Sequence, residues 1–454
     1  MWCTCSVESW ATFGSDFYLD VSGPGGVRAR LTRSLREAIR SARLAPGTRL
    51  PSSRALALDL GIARNTVAAA YDELVAEGWL TARHGSGTRV AQRVRPPASP
   101  ARPAVAAPAV LDLTPSTPDI ALFPRTAWLR SARRALTAAP TDAFGPGDPR
   151  GRIELRVALA EYLARARGVR ADPERIVIVS GTAHSLRLLN TLLPGPFAVE
   201  SYGLDFHRGL LSSTVPVRVD EAGMRVEELP DVAAALLTPA HQFPLGGPLH
   251  PWRRAAAVEW ARSVDGLVLE DDYDGEFRYD RDPVGAVQGL DPERVVYLGS
   301  ASKSLSPALR MGWMVLPGHL VDAAVAEKGD REQYASALDQ LTMADFVASG
   351  AYDTHVRRMR QHYRERRDQL VSALQPHLRV PGIPAGLHAV LELPPGGERR
   401  VLDAALEVGV GVVGLGEFRH PDVPWDRDGV VLSFGAPAFP RALPLLRRVL
   451  AEHC

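Results

Sequence analysis

Seven prolines (Pro96, Pro97, Pro100, Pro103, Pro108, Pro115 and Pro118) fall in a stretch that reads RPPASPARPAVAAPAVLDLTPSTP from Arg95. Each removes a backbone donor and fixes φ, so neither a helix nor a central strand continues through it. The stretch is too long for an ordinary surface loop. It predicts a semi-extended linker over 93–118. The chain is therefore expected to fold as two parts, 17–92 and 119–454, and 454 residues agree with more than one domain.

The two parts differ in charge. Residues 20–95 carry 13 arginines against six acidic residues, a balance of +7, and residues 1–19 carry −2. With +1 on the whole chain, residues 96–454 carry −4. A basic module joined to a mildly acidic one points to a polyanionic partner for the first. No apolar run reaches the ~18–20 residues of a membrane span, and Met1–Ser15 lacks the basic-then-apolar pattern of a signal peptide. Cys3, Cys5 and Cys454 sit at the chain ends and cannot frame a disulfide scaffold. A reducing cytoplasm is the expected compartment. Cys3-x-Cys5 has no partner at ligand spacing, so no metal site is expected. Of 53 basic residues only Lys303 and Lys328 are lysines. In a chain that uses arginine wherever it serves, a retained lysine is a candidate for chemistry arginine cannot do, such as condensing with an aldehyde.

In the basic module, Val27, Leu31, Leu35, Ala38 and Ile39 recur at helical spacing, predicting a helix over about 25–43. Pro46-Gly47 stops it. Ser52-Ser53 caps a short helix from Arg54 to Leu60, Gly61 closes it, and a third runs from Arg64 to about Glu77. Two short strands then flank His84-Gly85-Ser86-Gly87. Three helices and a hairpin make a winged helix-turn-helix pattern. The segment LPSSRALALDLGIARNTVAAAYDELVAEGWLTARHGSGTRV resembles the GntR-type DNA-binding domain almost throughout. The resemblance implies that Arg54, Arg64, Asn65 and Thr66 meet phosphates and base edges of double-stranded operator DNA. It also implies that the turn with His84, Gly85 and Gly87 reaches toward the minor groove. Ala63 departs from the serine that usually caps the third helix.

In the second module short apolar runs alternate with helical stretches. The runs are Arg175–Ser180, Phe197–Glu200, Ala234–Thr238, Gly266–Glu270, Arg294–Leu298 and Met311–Leu316. That alternation predicts an α/β domain with a mostly parallel sheet covered by helices. Ligands of such sheets bind beyond the carboxyl ends of the strands. Three segments stand there. Ser180-Gly181-Thr182-Ala183 opens a helix whose amides suit a phosphate. Glu270-Asp271-Asp272-Tyr273-Asp274 packs carboxylates that need a cation among them, either a metal ion or a protonated pyridine nitrogen. Ser300-Ala301-Ser302-Lys303 adds a lysine behind two hydroxyls, with Arg310 seven residues on. An aldehyde cofactor with a phosphate and a pyridine ring, pyridoxal 5′-phosphate (PLP), would use all three.

FGPGDPRGRIELR, VSGTAHSL, TPAHQFPLG, EDDYDGEFRY and SASKSLSPALRMGW also resemble the fold-type I aminotransferases, in that family's order, from about Leu122 to Phe439. By that resemblance Lys303 is the catalytic lysine that condenses with the aldehyde, Asp271 pairs with the ring nitrogen and Tyr273 bonds the ring hydroxyl. Ser300, Ser302, Arg310, Thr182 and Ala183 take the phosphate. Asp272 competes with Asp271, since successive strand residues point to opposite faces. His241 stands where the broader family keeps an asparagine beside the ring, and is either a cofactor contact or an ordinary polar residue.

A GntR-type winged helix, a proline-rich linker and an aminotransferase-like domain together resemble the MocR subfamily of bacterial transcription regulators. That implies a homodimer whose DNA binding is set by PLP or its adduct with a small amine. Three departures bear on turnover. Val431 of Val431-Leu432-Ser433-Phe434 stands where aminotransferases grip a substrate carboxylate with arginine. Leu204, four after Glu200, stands where an aromatic residue stacks on the ring, with Tyr202 nearby. Phe144 or Pro146 stands where the partner subunit donates a tyrosine. Little or no transamination is therefore expected; an active aminotransferase with a regulatory DNA-binding domain is the alternative. Arg208 is expected to anchor an effector in place of the missing arginine, with Arg419 as the other candidate.

Overall fold

The computed structural model describes residues 10–12, 18–21, 24–83, 87–91, 111–115, 117–145, 147–279, 285–329, 335–374, 378–425 and 427–453. His84, Gly85, Pro146, all three cysteines and most of the proline-rich stretch lie outside them. The chain divides into two compact units, 1–106 and 107–454.

The first unit holds α1 (Val27–Arg40), α2 (Ser53–Leu60), α3 (Arg64–Ala76) and the antiparallel pair β1 (Leu80–Arg83) and β2 (Gly87–Val90). Leu31 and Leu35 of α1, Leu56 and Leu60 of α2 and Val67, Tyr71 and Leu74 of α3 bury their apolar stripes in one core. Thr48–Leu50 adds a third extended segment to the hairpin, through Leu50 N–H to Thr88 O and Val90 N–H to Thr48 O, both 2.9 Å. The Ser52 side chain accepts from Ala55 N–H and caps α2, and Gly61 ends it at φ +63°. Ala63 caps α3 without a side-chain acceptor. Ala63→Ser is expected to raise the unfolding free energy of this unit by ~1 kcal/mol. Denaturant titration of the two forms reads it, and an unchanged midpoint refutes it.

The second unit begins with Leu111–Asp112, which pairs in parallel with Val410–Gly411. Leu111 and Leu113 donate to Gly409 O and Gly411 O, and Leu113 is fully buried. The compact body thus starts inside the stretch expected to be linker. The residues at 109–114 are free of proline, so their amides remain available for an edge pairing. Helices α4 (Arg125–Ala138) and α5 (Ile153–Arg167) follow. Next come β3 (Ile176–Val179), α6 (Thr182–Leu192), β4 (Phe197–Glu200), α7 (Asp205–Arg208), β5 (Thr214–Val217) and β6 (Ala234–Leu237). Then α8 (Pro251–Ser263), β7 (Leu267–Asp271), β8 (Val295–Ser300) and β9 (Gly312–Val315) complete the sheet.

These seven strands form one sheet in the order β3-β9-β8-β7-β6-β4-β5. All neighbours are parallel except β9, which runs antiparallel to β8 and β3. The carboxyl ends of β3, β4, β6, β7 and β8 and the start of β9 therefore meet at one edge. β3, β4, β7, β8 and β9 are buried on both faces, which is why they read as continuous apolar runs.

Helices α9 (Val321–Lys328), α10 (Ala337–Ala348) and the 24-residue α11 (Ala351–Leu374) follow. The unit closes with β10 (His388–Leu393), α12 (Gly397–Glu407), β11 (Val413–Gly414), β12 (Asp428–Ser433) and α13 (Phe439–His453), with β12 central in a three-stranded sheet. Near its start α11 holds Ser304: Tyr352 donates its hydroxyl to Ser304 Oγ at 2.8 Å, and His355 Nε2 lies 2.8 Å from Ser304 O. Farther along, Arg366 donates to Asp119 Oδ2 at 2.8 Å and to the carbonyls of Phe434, Gly435 and Ala436. The Tyr363 hydroxyl accepts from Asp119 N–H at 3.0 Å.

Candidate cofactor and DNA sites

The strand ends surround a cavity of about 270 Å³, a size suited to one small ligand. Thr182, Ala183, Asp271, Tyr273, Ser300, Ser302, Lys303 and Arg310 all border it. β7 and β8 are parallel neighbours, which places Asp271 and the turn carrying Lys303 side by side. Arg310 arrives because β9 is antiparallel and begins where the others end. It is held at φ +48°, a left-handed conformation that costs a non-glycine residue of order 1–3 kcal/mol and clusters at functional sites. Gly181 precedes α6, whose first amides have no partner within the helix. A Cβ on Gly312 would fall 2.8 Å from Gly181 Cα, so this close approach of β9 to the N-cap of α6 requires glycine.

The acidic run is divided among separate tasks. Glu270 accepts from Val287 N–H and Gln288 N–H, both at 2.9 Å. Asp272 points away from the cavity, to Arg167 at 2.6 Å and to the Tyr297 hydroxyl at 2.7 Å. Asp271 alone of these three borders the cavity. Burial, with Asp272 beside it, pushes the Asp271 carboxyl up to about 7, while Lys303 acts the other way. Burial also lowers Lys303 from its ordinary value, which favours the nucleophilic amine. A protonated pyridine nitrogen would supply the cation that Asp271 needs, so the donor set fits PLP. Bound there, PLP would supply an electron sink.

Asp271→Asn is accordingly expected to stabilise the apoprotein at pH 8 by about 1–3 kcal/mol. A carboxyl raised in the folded state costs stability as pH climbs from its unfolded pKa through about 7. The gain should vanish below pH 4, where both states are protonated; a pH-independent gain would show that ionisation is not its cause.

His207, which the sequence did not single out, borders the cavity with Nδ1 3.7 Å from Asp271 Oδ2. Burial and then Lys303 push its pKa down to about 4, so it is a neutral imidazole near neutral pH. It lies one turn beyond Leu204, and that spacing was the available signal. Glu200 and Thr238 also border the cavity, with the Thr238 hydroxyl donating to Glu200 Oε2 at 2.6 Å. His241 is not among the bordering residues. It lies buried with Nδ1 3.0 Å from the Tyr273 hydroxyl and 2.8 Å from Asp274 Oδ2. Leu204 borders the cavity; Tyr202 does not, and packs instead with Phe243, Phe418 and Val431.

Arg208 does not serve as the expected anchor. It borders the cavity, but its guanidinium donates to Gly203 O and Phe418 O at 2.9 Å and to Arg419 O and Asp205 Oδ1 at 3.2 Å. Three backbone carbonyls that its sequence position did not reveal, with the Asp205 carboxylate, occupy both of its terminal nitrogens. Arg419 lies over the Trp425 ring and does not border the cavity. Val431 is fully buried in β12 among apolar side chains. Lys328 is also buried, donating to Ile178 O at 2.7 Å and to Pro149 O, away from the cavity.

In the first unit Arg54, near the start of α2, and Arg64 and Asn65, at the start of α3, are exposed, while Thr66 is half-buried. Neither arginine makes an ion pair with another described residue. Gly87 opens β2 at φ +82°.

The chain therefore combines a winged helix-turn-helix unit with a fold-type I aminotransferase-like unit. The family model for bacterial regulatory proteins of the gntR family matches residues 28–90, and that for aminotransferase class I and II matches 256–422. The pyridoxine biosynthesis transcriptional regulator PdxR of Corynebacterium glutamicum is 34% identical over 81% of this chain and 83% of its own. The probable rhizopine catabolism regulatory protein MocR of Rhizobium meliloti is 34% identical over 79% of each. Among solved structures, kynurenine aminotransferase of Pyrococcus horikoshii superposes with a TM-score of 0.69, at 24% identity over 76% of this chain and 90% of that one. The chain belongs to the MocR-type regulators of the GntR family.

Proposed function

We propose that this regulator binds PLP covalently through Lys303 and that the cofactor, or its adduct with a small amine, controls binding of the winged helix to operator DNA. The observation that carries this reading is the convergence of Lys303, Asp271, Arg310 and the α6 amides on one cavity, in a chain whose other unit exposes Arg54 and Arg64. Asp271 pairs with the ring nitrogen, Tyr273 meets the ring hydroxyl, and Ser300, Ser302, Thr182, Ala183 and Arg310 hold the phosphate. A second copy of the chain completes the assembly. Supporting it, Ile120, Leu129, Phe144 and Ile153 expose apolar side chains within one span of sequence. No helix among the described residues is long and apolar enough to cross a membrane, and the regulator acts in the cytoplasm.

Little or no turnover belongs to this reading. With Lys303 and Arg310 given to the cofactor and Arg208 to carbonyls, no described arginine bordering the cavity is left for a substrate carboxylate. Operator footprints with and without PLP test the reading, and identical footprints overturn it. Simple α-amino acids at micromolar concentration are expected to leave the visible spectrum of the PLP-loaded protein unchanged. Saturable micromolar shifts would reveal a carboxylate site.

A further inference from the structure

Asp274, His241 and Tyr273 meet in a buried triangle behind the cavity wall. Tyr273 borders the cavity and the other two do not. The Asp274 and His241 side chains are 1% and 3% exposed. A carboxylate buried this deeply has to be met by donors. Its 2.8 Å contact with His241 therefore places the imidazole hydrogen on Nδ1. That nitrogen then has no lone pair for the phenol 3.0 Å away. The Tyr273 oxygen can only accept there, and its own hydrogen is left for Asp274 or for a partner in the cavity. Burial, then Asp274, Asp271 and Glu200, push the phenol pKa well above its ordinary value, so the hydroxyl keeps its hydrogen.

Two neighbours reinforce the arrangement. Gly386 stands at φ +70°, where a Cβ would fall 2.3 Å from His241 Cε1 and 2.5 Å from Asp274 Oδ2, so backbone presses directly on the dyad. His388 Nε2 lies 3.2 Å from Pro244 O and donates to it, which leaves Nδ1 bare and without a partner among the described residues. Burial and His241 push His388 well below its ordinary pKa. It stays neutral and does not compete with His241 for Asp274.

We propose that Asp274 and His241 are positioning residues that hold Tyr273 as a hydrogen-bond donor to the ring oxygen of the cofactor. The proposal rests on the PLP reading above. Imidazole NMR of the apoprotein is expected to show a downfield, exchange-protected Nδ1–H from His241 that disappears in Asp274→Asn. An Nε2–H tautomer would overturn the dyad.

In spectral titrations with PLP, Asp274→Asn and His241→Leu are each expected to weaken binding about tenfold, with His241→Asn partly restoring it. In a Tyr273→Phe background Asp274→Asn should change affinity less than about twofold, because both act through one group. An equal loss in both backgrounds overturns the positioning role and leaves the cofactor reading standing. Failure of the wild-type protein to take up PLP overturns the cofactor reading itself. His241, Asp274 and His388 also bring one candidate ligand atom each within 4.8 Å. Stoichiometric zinc retained by the wild-type protein and lost in His388→Ala would overturn the hydrogen-bonded arrangement.

Discussion

Lys303→Ala and Lys303→Arg are both expected to abolish the visible absorbance of the PLP-loaded protein and to lower PLP retention at least about a hundredfold. Arginine keeps the charge, but its guanidinium stays protonated and does not condense with an aldehyde at neutral pH. The control is built into the chain, because its one other lysine lies elsewhere. Lys328 is bonded to two backbone carbonyls and does not border the cavity. Lys328→Met should therefore cost stability, about 1–3 kcal/mol from unsatisfied buried carbonyls, and leave PLP uptake intact. Borohydride trapping followed by peptide mapping separates the two lysines. A reduced adduct on Lys328 would refute the assignment of Lys303.

Arg64→Ala is expected to weaken operator binding by ~1–3 kcal/mol and to relax sequence preference at one base pair. The side chain is exposed at the first position of α3, the helix that a winged helix-turn-helix lays in the major groove. Competition binding against operator and random DNA at fixed salt checks it. An equal loss on both would make Arg64 a phosphate contact, with a salt dependence shallower by about one unit.

Much of the fold was legible because local patterns agreed with the tertiary outcome. Fully buried parallel strands read as short apolar runs, and Ser52 and Gly61 bounded α2 as their chemistry dictates. β5 escaped notice because Pro216 sits inside an edge strand, where proline is tolerated but obscures the pattern. The residues that border the cavity were legible where the fold draws them from contiguous segments. The sequence left Asp271 and Asp272 open, and packing separates them: Arg167, more than a hundred residues upstream, takes Asp272. The spacing of Arg208 from Glu200 said nothing of the carbonyls of Phe418 and Arg419, which come from far along the chain.

Helix α11 joins two distant points of the second unit. Its start grips Ser304, the residue after Lys303, and Arg366 grips Asp119, just beyond Pro118. From Tyr352 to Arg366 an α-helix covers about 21 Å at 1.5 Å per residue, and it resists compression because every turn is hydrogen-bonded. The turn carrying Lys303 and the segment at Asp119 are thus held at two points of one helix. A shift of either end is borne along the helix rather than absorbed in a loop.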